Sequence, residues 1–284
     1  MLRKLTDTVL IFLCAICILQ CGVNNVAGGA GTGNPTGIVT VAIIADSIIS
    51  ASLPKSTPAS HDTPGVQRVI PVKDISGNGI EFTTAIMNVQ RIHFLVKSGD
   101  SPASLVRQSK VDLPFDDNSI ILEGPFTFDL ISGAMTPQVD TIRLPQASYI
   151  GLSLEIGIDR LSPPPIAAYP NAIEFNGFFM NQNKSHPMKV LLTALSSVTF
   201  HFANAWAWVS PDQPLTFLLP LDASQWLDSI DFTGSLKNGD LSYDACGGLV
   251  VTDRTGQGTD GSIAICKVLQ KNIIRSGKLI FKNK

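Results

Sequence analysis

Charge is scarce in this chain. Only 15% of its 284 residues are Asp, Glu, Lys or Arg, well short of the quarter usual in soluble domains. The two signs nearly cancel, with Lys+Arg 21 against Asp+Glu 23 and a net charge of -2. No basic excess is available to make the electrostatic footprint of a nucleic-acid binder. Histidine is rarer still, at four residues. None stands in an HExxH pattern, and neither a Gly-x-Ser-x-Gly elbow nor EF-hand spacing occurs. No motif of 20–50 residues repeats, which excludes a propeller or solenoid. What the chain has instead is apolar residues, 44% of the total. That is too much for broad disorder, and the length suffices for one large or two small packed domains.

The longest apolar stretch lies at the start. Arg3 and Lys4 precede Val9–Leu19, a run of about ten residues where a membrane span needs ~20. The pattern reads as a targeting leader. Ile18-Leu19-Gln20-Cys21 resembles a bacterial lipobox, which makes Cys21 the acylated (palmitate-bearing) first residue of the mature chain. It carries Gln20 where Gly, Ala or Ser is usual. An ordinary cleaved signal peptide and an uncleaved anchor are the competing readings. Gly22–Gly37 is rich in Gly and Asn and nearly empty of large side chains, so it reads as a linker of ~16 residues spanning roughly 20–25 Å. The expected organisation is therefore a signal peptide over 1–20, a lipid-anchored linker over 21–37 and a folded body over 38–284. The Pro163-Pro164-Pro165 segment, within 161–170, is a possible subdivision. Gly22 after Cys21, where enteric bacteria place Asp for inner-membrane retention, points to the outer membrane.

Once the leader and anchor are set aside, two of the five cysteines remain, Cys246 and Cys266. An even pair in an exported chain predicts a disulfide, here stapling a hairpin across the polar turn at 252–262. With no His nearby, two cysteines do not complete a zinc site.

The body reads as strands. Ile38–Ala45, Ile80–Val96, Tyr149–Ile158, Ala172–Met180, Met188–Ala194, Val198–Val209 and Leu215–Leu219 are β-branched or alternating segments bounded by Gly, Pro, Asn and Asp. A bulge is expected near Asn88 and Gln90 in the long second segment. Asp222–Leu227 is a helical turn capped by Asp222. The expected fold is all-β, an antiparallel β-sandwich of one domain or two closely packed lobes.

Four stretches carry a family resemblance. They are the strand ending in Asp46, Ala85-Ile86-Met87-Asn88-Val89-Gln90-Arg91-Ile92-His93-Phe94, Phe126-Thr127-Phe128-Asp129-Leu130, and Ile142–Leu154 with its Leu144-Pro145-Gln146-Ala147-Ser148-Tyr149 turn. With the lipobox before them, they resemble the uncharacterised bacterial lipoprotein domains of the DUF4382 kind over about half the chain. The resemblance implies a β-sandwich and an anchor, and no chemistry.

Candidate sites are few. Phe200, Phe202, Trp206 and Trp208 share parity and predict rings on one face of a strand, with Trp226 as a possible neighbour. Core packing is one reading of them. A stacking platform for a glycan or an envelope protein is the other. The oxygen-rich turns at Asp116, Asp117, Asp253 and Asp260 are candidates for calcium. No catalytic residue, cofactor or other metal site is expected. The chain is expected to be a non-enzymatic, membrane-anchored envelope protein with a binding, adhesion or structural role. A polysaccharide-acting enzyme or a carbohydrate-binding module is the alternative.

Overall fold

The computed structural model describes residues 34–46, 49–51, 67–139, 141–157, 171–193, 197–203, 206–254 and 258–283. The leader, Cys21, most of the linker and 161–170 lie outside them. Asn34–Lys284 is one compact unit.

In chain order the elements begin with β1 (Thr36–Asp46), β2 (Ile49–Ala51), β3 (Gln67–Lys73), β4 (Gly79–Val96), α1 (Pro102–Ser109), β5 (Ser119–Asp129) and β6 (Met135–Thr136). Then come β7 (Ile142–Pro145), β8 (Ala147–Ile156), β9 (Ile173–Asn181), β10 (Lys184–Leu192), β11 (Val198–His201) and β12 (Ala207–Val209). The last are β13 (Leu215–Asp222), a 3-10 turn at Ala223–Gln225, α2 (Phe232–Asn238), β14 (Leu249–Thr252), α3 (Asp260–Ser276) and β15 (Ile280–Asn283).

The protein is mostly β, in two sheets. The smaller runs β15-β13-β1-β7 and the larger runs β11-β8-β4-β9-β10-β14, with further strands beside β4, β5 and β8. β1 alternates strictly, with Val39, Val41, Ile43 and Ala45 buried, and Leu215, Phe217, Leu219 and Leu221 of β13 do the same. These rows face the larger sheet. The Phe217 ring lies 6.0 Å from Phe94 on β4, 6.4 Å from Tyr149 on β8 and 5.1 Å from Phe202, at separations where aromatic pairs attract. A sandwich-like core results.

The pairing is not wholly antiparallel. β1 runs parallel to β13, from Val39 opposite Leu215 to Asp46 opposite Asp222, and β10 runs parallel to β14. Parallel neighbours need long connections. Such neighbours lie far apart along the chain, beyond the reach of local patterning.

β4 is the spine. Its first half pairs with β3 and β9, and its second half with β5 and β8. The register shifts between Val89 and Arg91 against both β5 and β8, where the sequence predicts a bulge, and again between Phe82 and Thr84 against β9. Each extra residue reverses which side chains face inward. Phe82 is therefore buried, then Ala85, Met87 and Val89, then Ile92, Phe94 and Val96. The β9–β10 connection is a tight hairpin, with Lys184 already paired to Asn181. Gln182 and Asn183, at φ 49° and 63°, make a two-residue turn of the left-handed kind that hairpins favour.

The segment 262–266, expected as the returning strand of a stapled hairpin, is helical. Thr259 Oγ1 accepts from the Ser262 N–H at 3.1 Å, Asp260 lies in the first turn, and Ser262, Ile265, Cys266, Leu269, Ile273 and Ser276 are buried. That 3–4 spacing is a helix face. It packs α3 against β13, β14 and the 3-10 turn. Ser262 fastens it to β14, its hydroxyl accepting from the Thr252 N–H at 2.7 Å and donating to the Thr252 carbonyl at 2.8 Å.

Candidate functional site

The aromatic stripe divides. Val198–Val209 forms two strands, β11 and β12, both paired with β8. Phe200 and Phe202 are buried, at 8% and 5% exposure, whereas Trp206 and Trp208 stand 45% and 51% exposed. The cause lies in β8. Leu95 pairs with Gly151 and Val96 with Tyr149, which leaves Ile150 as an extra residue. Inward positions are even at Leu152, Leu154 and Ile156 and odd at Tyr149 and Ala147. Phe200 pairs with Leu152 and follows the C-terminal half of β8. Trp208 pairs with Ser148 and follows the N-terminal half, so Ala207 and Val209 point inward and Trp208 outward. Equal parity in sequence becomes opposite faces in space.

Beside these indoles stands Lys97, the first residue after β4. Its N–H donates to the Ser148 carbonyl at 2.9 Å, and its ammonium nitrogen lies 4.2 Å from the centre of the Trp206 ring, within cation–π range. Trp206, Trp208, Lys97 and Ser148 thus make one exposed corner. Trp226 is no part of it. It is fully buried, its Nε1–H donating to Ser276 Oγ at 3.2 Å and its ring 5.1 Å from Phe175. The hydrophobic turn Trp226–Leu227 closes the core under α3.

On the outer side of β5, β4 and β8 lies a charged ladder. Arg91 donates through Nε to Glu123 at 3.0 and 3.2 Å and through Nη1 to Glu155 at 3.2 Å, and both carboxylates hold its guanidinium charged. His93 Nε2 lies 2.9 Å from Glu155 Oε1, and Nδ1 lies 3.0 Å from Ser119 Oγ and 3.3 Å from Asp116 Oδ2. Both ring nitrogens are engaged. Burial pushes the Asp116 carboxyl up, but hydrogen bonds from Asn118, Ser119 and His93 outweigh it and hold the group below the usual carboxylate range. Asp116 is a turn-forming residue, accepting from the Asn118 and Ser119 N–H groups at 3.0 and 2.7 Å.

The other calcium candidates are not gathered. Asp117 is exposed beside Asp116. Asp253 accepts from the Thr193 N–H at 2.8 Å and from Gln270 at 2.9 Å, bracing the β10 end against α3. Asp260 is exposed in the first turn of α3, where a carboxylate complements the helix dipole. Among the described residues no group of three His, Cys, Asp or Glu side chains could hold a metal ion.

The expected Cys246–Cys266 disulfide is not formed. Cys246 is a free, exposed thiol and Cys266 a free, buried one. Cys246 sits in a turn built by Asp244, whose Oδ1 accepts from the Cys246 and Gly248 N–H groups, each at 2.8 Å. Cys266 sits on the inward face of α3, where burial pushes its thiol up to about 12. The helix that replaces the expected strand points this side chain into the core.

A second polar cluster, missed from the sequence, sits on β9 and β10 and the segments beside them. Glu174 is 8% exposed and accepts from Asn171 at 3.2 Å and Asn176 at 3.1 Å, and pairs with Lys189 at 3.0 Å. Arg254 donates to Asn171 Oδ1 at 2.9 Å. Burial pushes the Glu174 carboxyl up, and the Lys189 and Asn partners more than reverse it, leaving it below its usual range. Its partners are satisfied within the cluster. An apolar cavity of about 10 Å³, lined by residues including Met87, Leu154, Phe200, Leu219 and Ile273, lies between the sheets and α3. That volume is at the threshold for a single water.

No protein-family model, curated protein or solved structure matches this chain. The likeness to the DUF4382 lipoproteins rests on its motifs alone.

Proposed function

We propose that this is a lipid-anchored bacterial envelope protein. In this reading the leader is removed, Cys21 is acylated and placed in the outer membrane, and a β-sandwich body acts non-enzymatically, by binding, adhesion or as a structural part of the envelope. One observation carries the contact role. Two indoles stand about half exposed, one of them under a lysine, in a chain whose third tryptophan is fully buried. Exposed aromatic clusters rimmed by polar groups mark interaction surfaces. The motif Ile18-Leu19-Gln20-Cys21 and the Gly-rich stretch after it support the anchor.

Mass spectrometry of the full chain purified from membranes tests the anchor. Loss of residues 1–20 with added acyl mass on Cys21 is the expected result, and retention of the leader overturns it. For the contact role, envelope polysaccharides and envelope extracts are presented to the wild type and to a Trp206→Ala, Trp208→Ala variant. Binding unchanged by the variant sinks it.

The carbohydrate-binding alternative uses the same indoles, with Trp208 as the stacking ring and the Ser148 and Lys97 groups beside it. Glycan-dependent protection of tryptophan emission in the wild type, absent in the double variant, supports it. The enzymatic alternative needs two carboxylates flanking a bond. Glu123 and Glu155 flank Arg91 and are both tied to it.

A further inference from the structure

The exposed corner lies where the chain enters the body. The Asn34 N–H donates to the Gln108 carbonyl at 3.0 Å, at the end of α1, and the Gln146 N–H donates to the Pro35 carbonyl at 2.9 Å. Thr36 pairs with Pro145. Two residues past Gln146 on β8 is Ser148, the partner of Trp208 and the acceptor for the Lys97 N–H. Gly37 lies so close to β12 that a Cβ on it would fall 2.6 Å from Val209 Cγ1 and 2.5 Å from the Ser210 carbonyl oxygen. The entering strand, the two indoles and Lys97 therefore occupy one corner of the fold.

Three properties of that corner agree. An indole is apolar in body and polar at its N–H, and tryptophan concentrates at the headgroup level of membranes for that reason. A lysine at such a depth reaches anionic headgroups through its long stem. Between 97 and 112 the chain carries Lys97, Arg107 and Lys110 against Asp100 and Asp112, and Arg107 and Lys110 are exposed at the end of the helix that holds Asn34. Twelve residues lie between Cys21 and Asn34, so even a fully extended chain keeps Asn34 within about 45 Å of the acylated residue.

We propose that Trp206, Trp208 and Lys97 form a membrane-contacting foot. It seats the body on the anionic headgroup layer of the bilayer that holds Cys21. This rests on the lipid-anchor reading above and adds what that reading lacks, an orientation for the body.

The test uses the full lipidated protein, reconstituted on vesicles of phosphatidylethanolamine and phosphatidylglycerol containing phosphatidylcholine with brominated acyl chains. Co-sedimentation reports the anchor, and bromine quenching of tryptophan reports the contact. The expected result is co-sedimentation with loss of most emission from the two exposed indoles, while the blue emission of buried Trp226 remains. The Trp206→Ala, Trp208→Ala variant should co-sediment equally and show no quenching beyond that of Trp226. Lys97→Glu should co-sediment and lose part of the quenching. Trp226 emission reports that each variant is folded. Protein that co-sediments with its indoles unquenched and open to aqueous iodide overturns the foot and leaves the anchor standing. Protein that does not co-sediment overturns the anchor and the foot together. Indoles shielded from iodide by a soluble envelope polysaccharide, and not by vesicles, belong to a glycan site, and the foot is overturned.

Discussion

The three tryptophans show how little residue type says about residue role. Trp226, fully buried with its N–H bonded to Ser276, is expected to cost about 3–5 kcal/mol when truncated to Ala. Trp208→Ala, at an exposed position, should stay within about 0.5 kcal/mol of wild type. Urea denaturation of both variants gives the comparison. The two free thiols separate in the same way. Cys246 should react at once with a thiol reagent in native protein, and Cys266 only on unfolding, because burial holds its thiol up at about 12 and the thiolate is the reactive form. A native protein with no reactive thiol would contradict this. Acid sensitivity should come from carboxyls held below their usual range. Burial raises Glu174 and Asp116, but their hydrogen-bond and charge partners more than reverse it. For Asp231 the chief cause of the lowering is the hydrogen bond from the Gly234 N–H. A group whose folded pKa is depressed contributes stability above its unfolded value, and that contribution is lost as pH falls through the folded one. The melting temperature should therefore hold from pH 7 to about 5 and fall below about 4.3, the ordinary Glu value. In Glu174→Gln the acid fall should be shallower. An unchanged pH profile in that variant would place the sensitivity elsewhere.

At the scale of elements, much is legible in the sequence. The β1 alternation, the long β4 with its bulge near Asn88–Gln90, and the turn capped by Asp222 are all read from local pattern. The Asp222 cap forms as expected, its Oδ1 accepting from the Ser224 N–H at 3.1 Å. Only 262–266 reads locally as a strand; a 3.6-residue count carried through 262–276 instead joins it to the helix α3. The split of Val198–Val209 is different in kind, because its cause is the extra residue in β8. Gly151, next to that residue, lets β11 approach closely. A Cβ there would lie 2.2 Å from the Phe200 carbonyl oxygen. Gly151→Ala is expected to force the strands apart and cost about 1–3 kcal/mol, with loss of the register that turns Trp208 outward. Equilibrium denaturation measures the first effect, and iodide quenching of Trp208 in a Trp206→Phe background measures the second. Wild-type stability in Gly151→Ala would contradict the tight packing.

The molecule as a whole is held together by pairings that span the chain. β1 lies against β13, and β4 pairs with strands before and after 158–170. Unfolding should follow a single transition, with far-ultraviolet circular dichroism and Trp226 emission coincident. Residues 34–157 expressed alone should not fold, since β8 would keep β4 while β1 lost β13. Two resolved transitions, or a soluble and cooperatively folding 34–157 fragment, would refute this.

Which segments are extended, where the chain turns, and that the body is mostly β were determined by the amino-acid order itself, because alternation, β-branching and turn chemistry act between near neighbours. Only the tertiary structure decided which tryptophans are exposed and which cysteine is buried. It also decided that Lys97 and the entering strand share a corner with Trp206 and Trp208. The face a side chain takes depends on register against a partner strand, and one extra residue in β8 is enough to reverse it.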